Sequence, residues 1–488
     1  MFFQSTIVFV AISAVVVLAG MFYAKNKSHF LLGAAILTIA WQGGLHVEVF
    51  KMDFTLTHFI FLLLFVWNFI EGRKKSQLAG TFNRPIYFWG AMILFAIVAM
   101  MTAIDKFQAV TGVMRPVLDL VIFFAIMKSM RKPVDVKFLG NALMFSLIFQ
   151  GILATLQYKF PDFRFGVIDQ NQSWMWWRAK GTFFHPNEMG MYAMLFLPFV
   201  ARVLFYAIMR QDKKEIWLSG SAFLLGGIAL FATGNRGSWA GLVFGMSVML
   251  TYDMFKTGKA GTKLKKVLAG LAVPAVLFLF FFAIKYGSVM MDRIFYSDRE
   301  GIGGDRLRYQ EEAIEMIKNY PVTGVGYNNY LYHVDTYFVH NLYLLSAAEI
   351  GVPGALSLVG FLVILVGYTI KGMKSKIFYI SNLSRGILAG ILGFMLASMP
   401  GPDFWISHPI QMYFWSLAAL QVALLRADKG AAMHGLRLNQ KRGRSREAQA
   451  NIQVVSATPP AEKRGDENAS SRQSVYPNIK IGGTTRQD

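Results

Sequence analysis

The chain has 488 residues, 55% hydrophobic and 16% charged, with mean hydropathy +0.41, a formal net charge of +21 and no cysteine. Soluble globular chains carry about 25% charged residues, so this composition excludes an ordinary soluble domain. The missing cysteines exclude disulfides, thiolate nucleophiles, iron–sulfur clusters and Cys-based zinc sites.

Apolar runs predict an all-α polytopic membrane protein with about 12–13 transmembrane helices of roughly 17–23 residues each. Their centres fall near residues 13, 39, 62, 95, 118, 148, 198, 225, 246, 277, 355, 391 and 416. The run over 6–20 resembles the apolar core of a signal peptide but has no basic segment in front, which makes it a retained first helix. Basic connectors at 25–27, 72–75, 131–132, 210–214, 256–266 and 371–376 occupy alternate loops. The positive-inside rule assigns them to the cytoplasm and accounts for the positive charge without nucleic acid. With thirteen spans the N-terminus lies outside. The chain divides into a membrane domain over 1–426, with a large outer loop about 286–339, and a basic tail over 427–488. The tail is poor in large apolar residues and is expected to be disordered, and its run at 437–446 suits anionic lipid.

Three outward-facing segments carry polar chemistry. In NQSWMWWRAKGTFFHPNEMG (171–190), Trp174 and Trp176 suit an interfacial belt, and Asn187 is placed to cap the next helix. Arg178 and Lys180 beside a helix N-terminus also suit a phosphate. In ATGNRGSWAG (232–241), Arg236 sits in a tight turn between spans, where it either snorkels to lipid phosphate or serves a site. The third segment is the outer loop followed by VHNLYLLSAAEIGVPG (339–354). Residues 305–330 open with helical periodicity, Leu307, Ile314 and Ile317 lying to one side, so an amphipathic helix is expected over the outer face. Asn341 is placed to cap the following span, with His340 just before it, where the positive helix end favours a neutral, proton-accepting imidazole. Arg115 and Asp119, four residues apart in one span, read either as an ion pair satisfied inside the bundle or as part of a transport path.

His340-Asn341, nine residues, then Gly351 and Gly354 resembles the His-(Asn/Ser/Gln)-x9-Gly-x-x-Gly pattern of the O-antigen ligases. Their superfamily also includes O-antigen polymerases and protein O-oligosaccharyltransferases. RAKGTFFHPNEMG is similar to that family's Arg-x-x-Gly-Thr-Phe-x-x-Pro-Asn segment. TGNRGSWAG is similar to its Thr-Gly-Ser-Arg-Gly turn, with Asn235 where Ser is usual. Residues 303–326 resemble its loop from an arginine to Pro-x-x-Gly-x-Gly. The matches run in family order over about 170–360.

The resemblance implies transfer of a glycan from undecaprenyl diphosphate to an acceptor hydroxyl at the periplasmic face of a bacterial inner membrane. The acceptor would be lipid A–core, a growing glycan or a protein. No metal or other cofactor is implied. It carries the base role to His340 and diphosphate binding to Arg178, Arg236 and Arg306. Asn341, Gly351, Gly354 and Asn187 become supporting residues, the two glycines on one helix stripe, and Trp174, Trp176 and Tyr327 candidates for sugar stacking. A transporter is the reading from another class. It requires polar residues near mid-membrane, whereas the transferase requires Arg178, Arg236 and His340 to meet at one face.

Overall fold

Lipid offers no partner for backbone N–H and C=O groups, so apolar segments must satisfy them internally as helices. The computed structural model describes residues 2–41, 46–49, 52–71, 84–160, 178–256, 302–334 and 337–431. Its first half contains α1 (Phe2–Tyr23), α2 (Lys27–Thr38), a hairpin of β1 (His46–Val49) and β2 (Met52–Thr55), α3 (Leu56–Ile70), α4 (Arg84–Ala99), α5 (Lys106–Ser129) and α6 (Pro133–Lys159). There follow α7 (Pro186–Arg210), α8 (Lys213–Ala232), α9 (Arg236–Lys256), α10 (Ile302–Asn319), α11 (Leu342–Met373), α12 (Phe378–Ala397), α13 (Asp403–Ile406) and α14 over 408–431. Six of the described helices, α5 to α8, α11 and α12, are long and apolar enough to cross a membrane. The protein is a helical, multi-pass membrane protein, with one short hairpin among the described residues. The span expected near 277 and the tail after 431 lie outside the described residues.

The span expected near 39 is not formed as such, because α2 stops at Thr38 and the chain turns into the antiparallel hairpin. The alternating residues of HVEV and MDFT suit a strand pair, His46 facing Thr55 and Val49 facing Met52.

Two helices form the centre. The most apolar window of α7 is 89% buried and that of α12 is 78% buried. Helices can approach closely in lipid where small residues face each other, and α12 is built for this. A Cβ at Gly386 would strike the Pro198 carbonyl, one at Gly390 the Leu195 carbonyl, and one at Gly393 the Gly241 carbonyl. One helix of small residues thus seats both α7 and α9.

Polar contacts sort the two ends of the bundle. At one end, the described basic connectors at 25–27, 131–132 and 210–214 lie beside the His29–Asp135 contact at 2.8 Å and the Lys137–Glu215 ion pair at 3.2 Å. At the other end meet the N-termini of α7, α9 and α11, the C-termini of α8 and α12, and the loop after α10. The expected amphipathic helix exists as α10, but with a shifted face. Ala313 and Met316 are buried and Ile317 packs partly against the core, whereas Ile314 is 42% exposed.

Candidate active site

The segment beginning at Arg178 is laid across the end of α6 by two glutamines. Gln157 accepts from the backbone N–H groups of Lys180 and Gly181 at 3.0 and 2.8 Å and donates to the Gly181 carbonyl at 2.7 Å. Gln150 accepts from Thr182 N at 3.0 Å and donates to its hydroxyl at 2.8 Å, and that hydroxyl donates to the Ala40 carbonyl. Gln150 and Gln157 were not singled out above. Their seven-residue spacing puts them two turns apart on one face of an apolar helix, which is the signal that marks them.

Arg178 is buried, and its guanidinium is held by neutral oxygens. Its Nε donates to the Thr233 carbonyl at 2.6 Å and its Nη2 to Asn187 Oδ1 at 2.6 Å. Asn187 therefore does not cap α7, contrary to the expectation from sequence. His185 does: it is extended, Pro186 opens the helix, and its Nδ1 accepts from Asn187 N at 3.1 Å. Proline favours the first helical position, which moves the cap one residue before it. Asn187 is left free to join the segments, because its carbonyl also accepts from Asn235 Nδ2 at 3.2 Å.

Asn235 in turn accepts from Ser238 N at 3.3 Å, the bond of an N-cap for α9. Asn and Ser are interchangeable in that role, so asparagine preserves the turn where the resembled pattern has serine. Arg236 is the first residue of α9 and is half-buried next to this network.

The third segment arrives through α11. Asn341 caps the helix as expected, its Oδ1 accepting from Tyr343 N at 2.9 Å and Leu344 N at 3.0 Å. Leu342 N donates to the Ser398 carbonyl at 3.0 Å, which fixes this helix start to the end of α12. His340 is half-buried, and the Tyr309 ring of α10 lies over it at 6.2 Å between centroids, 20° from parallel.

Gly351 does not share a helical stripe with Gly354. α11 breaks at Ile350 and Gly351, the latter at φ +73°, a region that disfavours side chains. Pro353 explains the break, since it has no N–H for the Glu349 carbonyl four residues back. The Pro321–Gly326 turn supplies the substitutes. Gly326 N donates to the Glu349 carbonyl, Val325 N to the Ala348 carbonyl and Val352 N to the Pro321 carbonyl, each at 2.9 Å. A Cβ at Gly351 would collide with the Val322 carbonyl. The Pro-x-x-Gly-x-Gly and Gly-x-x-Gly motifs are thus two halves of one joint. A Cβ at Gly354 would meet the Ile350 side chain first. The buried Glu349 carboxylate completes the joint, accepting from Asn328 N, Tyr330 N and Trp405 Nε1 at 2.9, 3.1 and 2.6 Å.

Electrostatics ties the segments together. Burial, then Arg178, Lys180 and His340, lower the His185 imidazole to about 4, so these four side chains share one neighbourhood. Burial raises Asp403 to about 6, opposed by its own backbone hydrogen bond and by Arg178, which brings α13 to the same place.

The remaining expected residues are placed elsewhere. Tyr327 is buried and stacked on Trp405 at 4.5 Å, with Gly112 against its ring, so it offers no open face to a sugar. Arg306 lies on α10, but its side chain, like all of Trp174 and Trp176, is outside the described residues. Asp119 is buried within 3.3 Å of His408 Nε2, and His408 Nδ1 lies 3.0 Å from His58 Nε2. Arg115 acts electrostatically on all three. Arg115 and Asp119 form no ion pair within 4 Å; Asp119 instead faces His408, and both of its carboxyl oxygens are buried without a hydrogen bond.

No curated protein matches the chain. Residues 221–359, from α8 into α11, match the family model described as O-antigen ligase. That stretch holds Arg236, Arg306, His340, Gly351 and Gly354, and the match supports the O-antigen ligase superfamily for this multi-pass membrane protein.

Proposed function

We propose that the protein is a glycan transferase that uses a polyprenyl-diphosphate donor at the motif end of the bundle, taken to be the periplasmic face of a bacterial inner membrane. The observation that carries this reading is the shared neighbourhood of His340, His185, Arg178 and Lys180. It favours chemistry at one face over a path through mid-membrane.

His340 removes the proton of an acceptor hydroxyl as its oxygen attacks the anomeric carbon. The new oxygen–carbon bond forms as the carbon–oxygen bond to the diphosphate breaks, and the electron pair leaves on the phosphate oxygen. Attack opposite the leaving group inverts the anomeric centre. Arg178 and Arg236 stabilise the charge that develops there, since guanidinium forks match phosphate oxygens. Holding Arg178 by neutral oxygens fixes its geometry before the reaction, which is where electrostatic catalysis draws its advantage. The acceptor is read as a glycan hydroxyl of the ligase type.

His340→Ala tests this with purified lipid-linked glycan. Loss of a general base is expected to slow transfer by about 10²–10⁴-fold while the protein stays folded. Full transfer by the folded variant would overturn the assignment.

A further inference from the structure

His185 was not among the residues expected to act, yet its geometry is specific. A helix cap needs only an acceptor, and Asn, Asp, Ser and Thr supply one with a smaller side chain. Here the acceptor is Nδ1, which takes the Asn187 N–H at 3.1 Å. The neutral imidazole must then carry its proton on Nε2.

Asn187 itself binds Arg178 through Oδ1, so one residue links the His185 ring to the guanidinium. The ring also lies in the fields of Lys180 and His340. Two cationic side chains and the positive end of α7 favour an anion here, with the buried carboxyls of Asp403 and of Glu188, in the first turn of α7, as the acidic neighbours. An imidazolium there would be repelled, whereas a neutral N–H donor is not. A helix N-terminus can hold a histidine in that neutral, donating form.

We propose that His185 is a substrate-binding hydrogen-bond donor of this site, its Nε2–H directed to a non-bridging phosphate oxygen of the donor lipid's diphosphate. The cap selects the tautomer, and Asn187 keeps the ring in register with Arg178. The inference rests on the transferase reading for its ligand. It can fail separately, because it concerns binding of the diphosphate before any transfer.

The test compares the full-length wild type with His185→Asn and His185→Ala in nanodiscs. Asn caps a helix as well as any residue but cannot place an N–H where imidazole Nε2 stands. His185→Asn is expected to melt like the wild type and to bind undecaprenyl diphosphate about tenfold more weakly, the worth of one hydrogen bond to a charged group. In transfer assays KM for the lipid donor rises accordingly. His185→Ala loses the cap as well and melts lower.

If His185→Asn does not fold, His185→Ser, also a strong cap, takes its place. A folded cap-competent variant that binds undecaprenyl diphosphate like the wild type would overturn the proposal and leave His185 a cap alone. Weaker binding by that variant, with no glycan transfer by any form, would uphold the binding role and overturn the transferase reading. Absence of diphosphate binding by the wild type would overturn both.

Discussion

Buried arginines stand at both ends of the bundle, and their partners differ. At the basic end, Asp253 of α9 pairs with Arg202 of α7, and its other oxygen lies 2.7 Å from Arg385 Nη1 of α12. Carboxylate and guanidinium charges meet directly there, and the three central helices are pinned together. At the motif end, Arg178 is gripped by a backbone carbonyl and an asparagine amide. Those two contacts orient the guanidinium through neutral oxygens, with the buried carboxyl of Asp403 in its electrostatic reach. The first arrangement suits cohesion of the bundle, the second an anionic ligand.

Exchanging a partner at each end would break this contrast if it is wrong. Asp253→Asn should have the largest effect on folding, because it leaves two buried guanidiniums without their carboxylate. Removing one member of a buried ion pair costs roughly 3–5 kcal/mol. Thermal unfolding in detergent should show a large drop, with transfer per folded molecule unchanged. Arg178→Lys should do the reverse. It keeps the charge but loses the fork that reaches Thr233 and Asn187 together. Transfer from the lipid-linked donor should fall about 100-fold, the scale of losing one preorganised donor, with little change in melting. Comparable melting losses for the two variants would remove the distinction.

The joint in α11 should respond at an intermediate level. Gly351→Ala forces a side chain into φ +73° and against the Val322 carbonyl. A cost of about 1–3 kcal/mol is expected for the strained backbone alone. Because the displaced turn belongs to the loop that leads to Tyr330, whose hydroxyl donates to the Tyr309 carbonyl, transfer should fall as well. Proteolysis within 321–334 would report loosening of that loop. A cleavage pattern identical to the wild type would argue that the turn does not depend on Gly351.

These details differ in how far the sequence shows them. Continuous apolar runs identify helices because lipid leaves the backbone little alternative. Alternating helix direction then gathers Arg178, Arg236 and His340 at one end without any knowledge of packing. The apolar run near 391 does not show that its Gly386, Gly390 and Gly393 serve helix contact rather than lipid, since their partners lie on other helices. The cap at His185 was legible from Pro186 and was mistaken because Asn187 is the commoner capping type. The α11 break had a local signal in Pro353, but its partner turn lies about thirty residues earlier, and such pairing has no periodicity to betray it. Tyr327 looked available because a loop tyrosine ordinarily is. Its burial depends on Gly112 of α5 and Trp405 of α13, which only the folded bundle brings together.

The pH dependence of stability should separate site residues from one another, two of them moving it in opposite directions. His185 titrates at about 4 in the folded protein against an ordinary 6.5. Its folded form resists the proton that the unfolded chain accepts, so stability is full above 6.5 and is lost as pH falls towards 4. His185→Asn removes that loss, and its melting temperature should fall less than the wild type's between pH 6.5 and 4. Asp403 is raised to about 6 from 3.8. Its contribution is full below 3.8 and is lost as pH rises through 6, where the buried carboxyl must ionise. Asp403→Asn should therefore melt above the wild type at pH 7.5 and alongside it near pH 4. Each shift corresponds to about 3 kcal/mol at most. Melting that tracks the wild type at every pH in both variants would argue that the site shifts neither group.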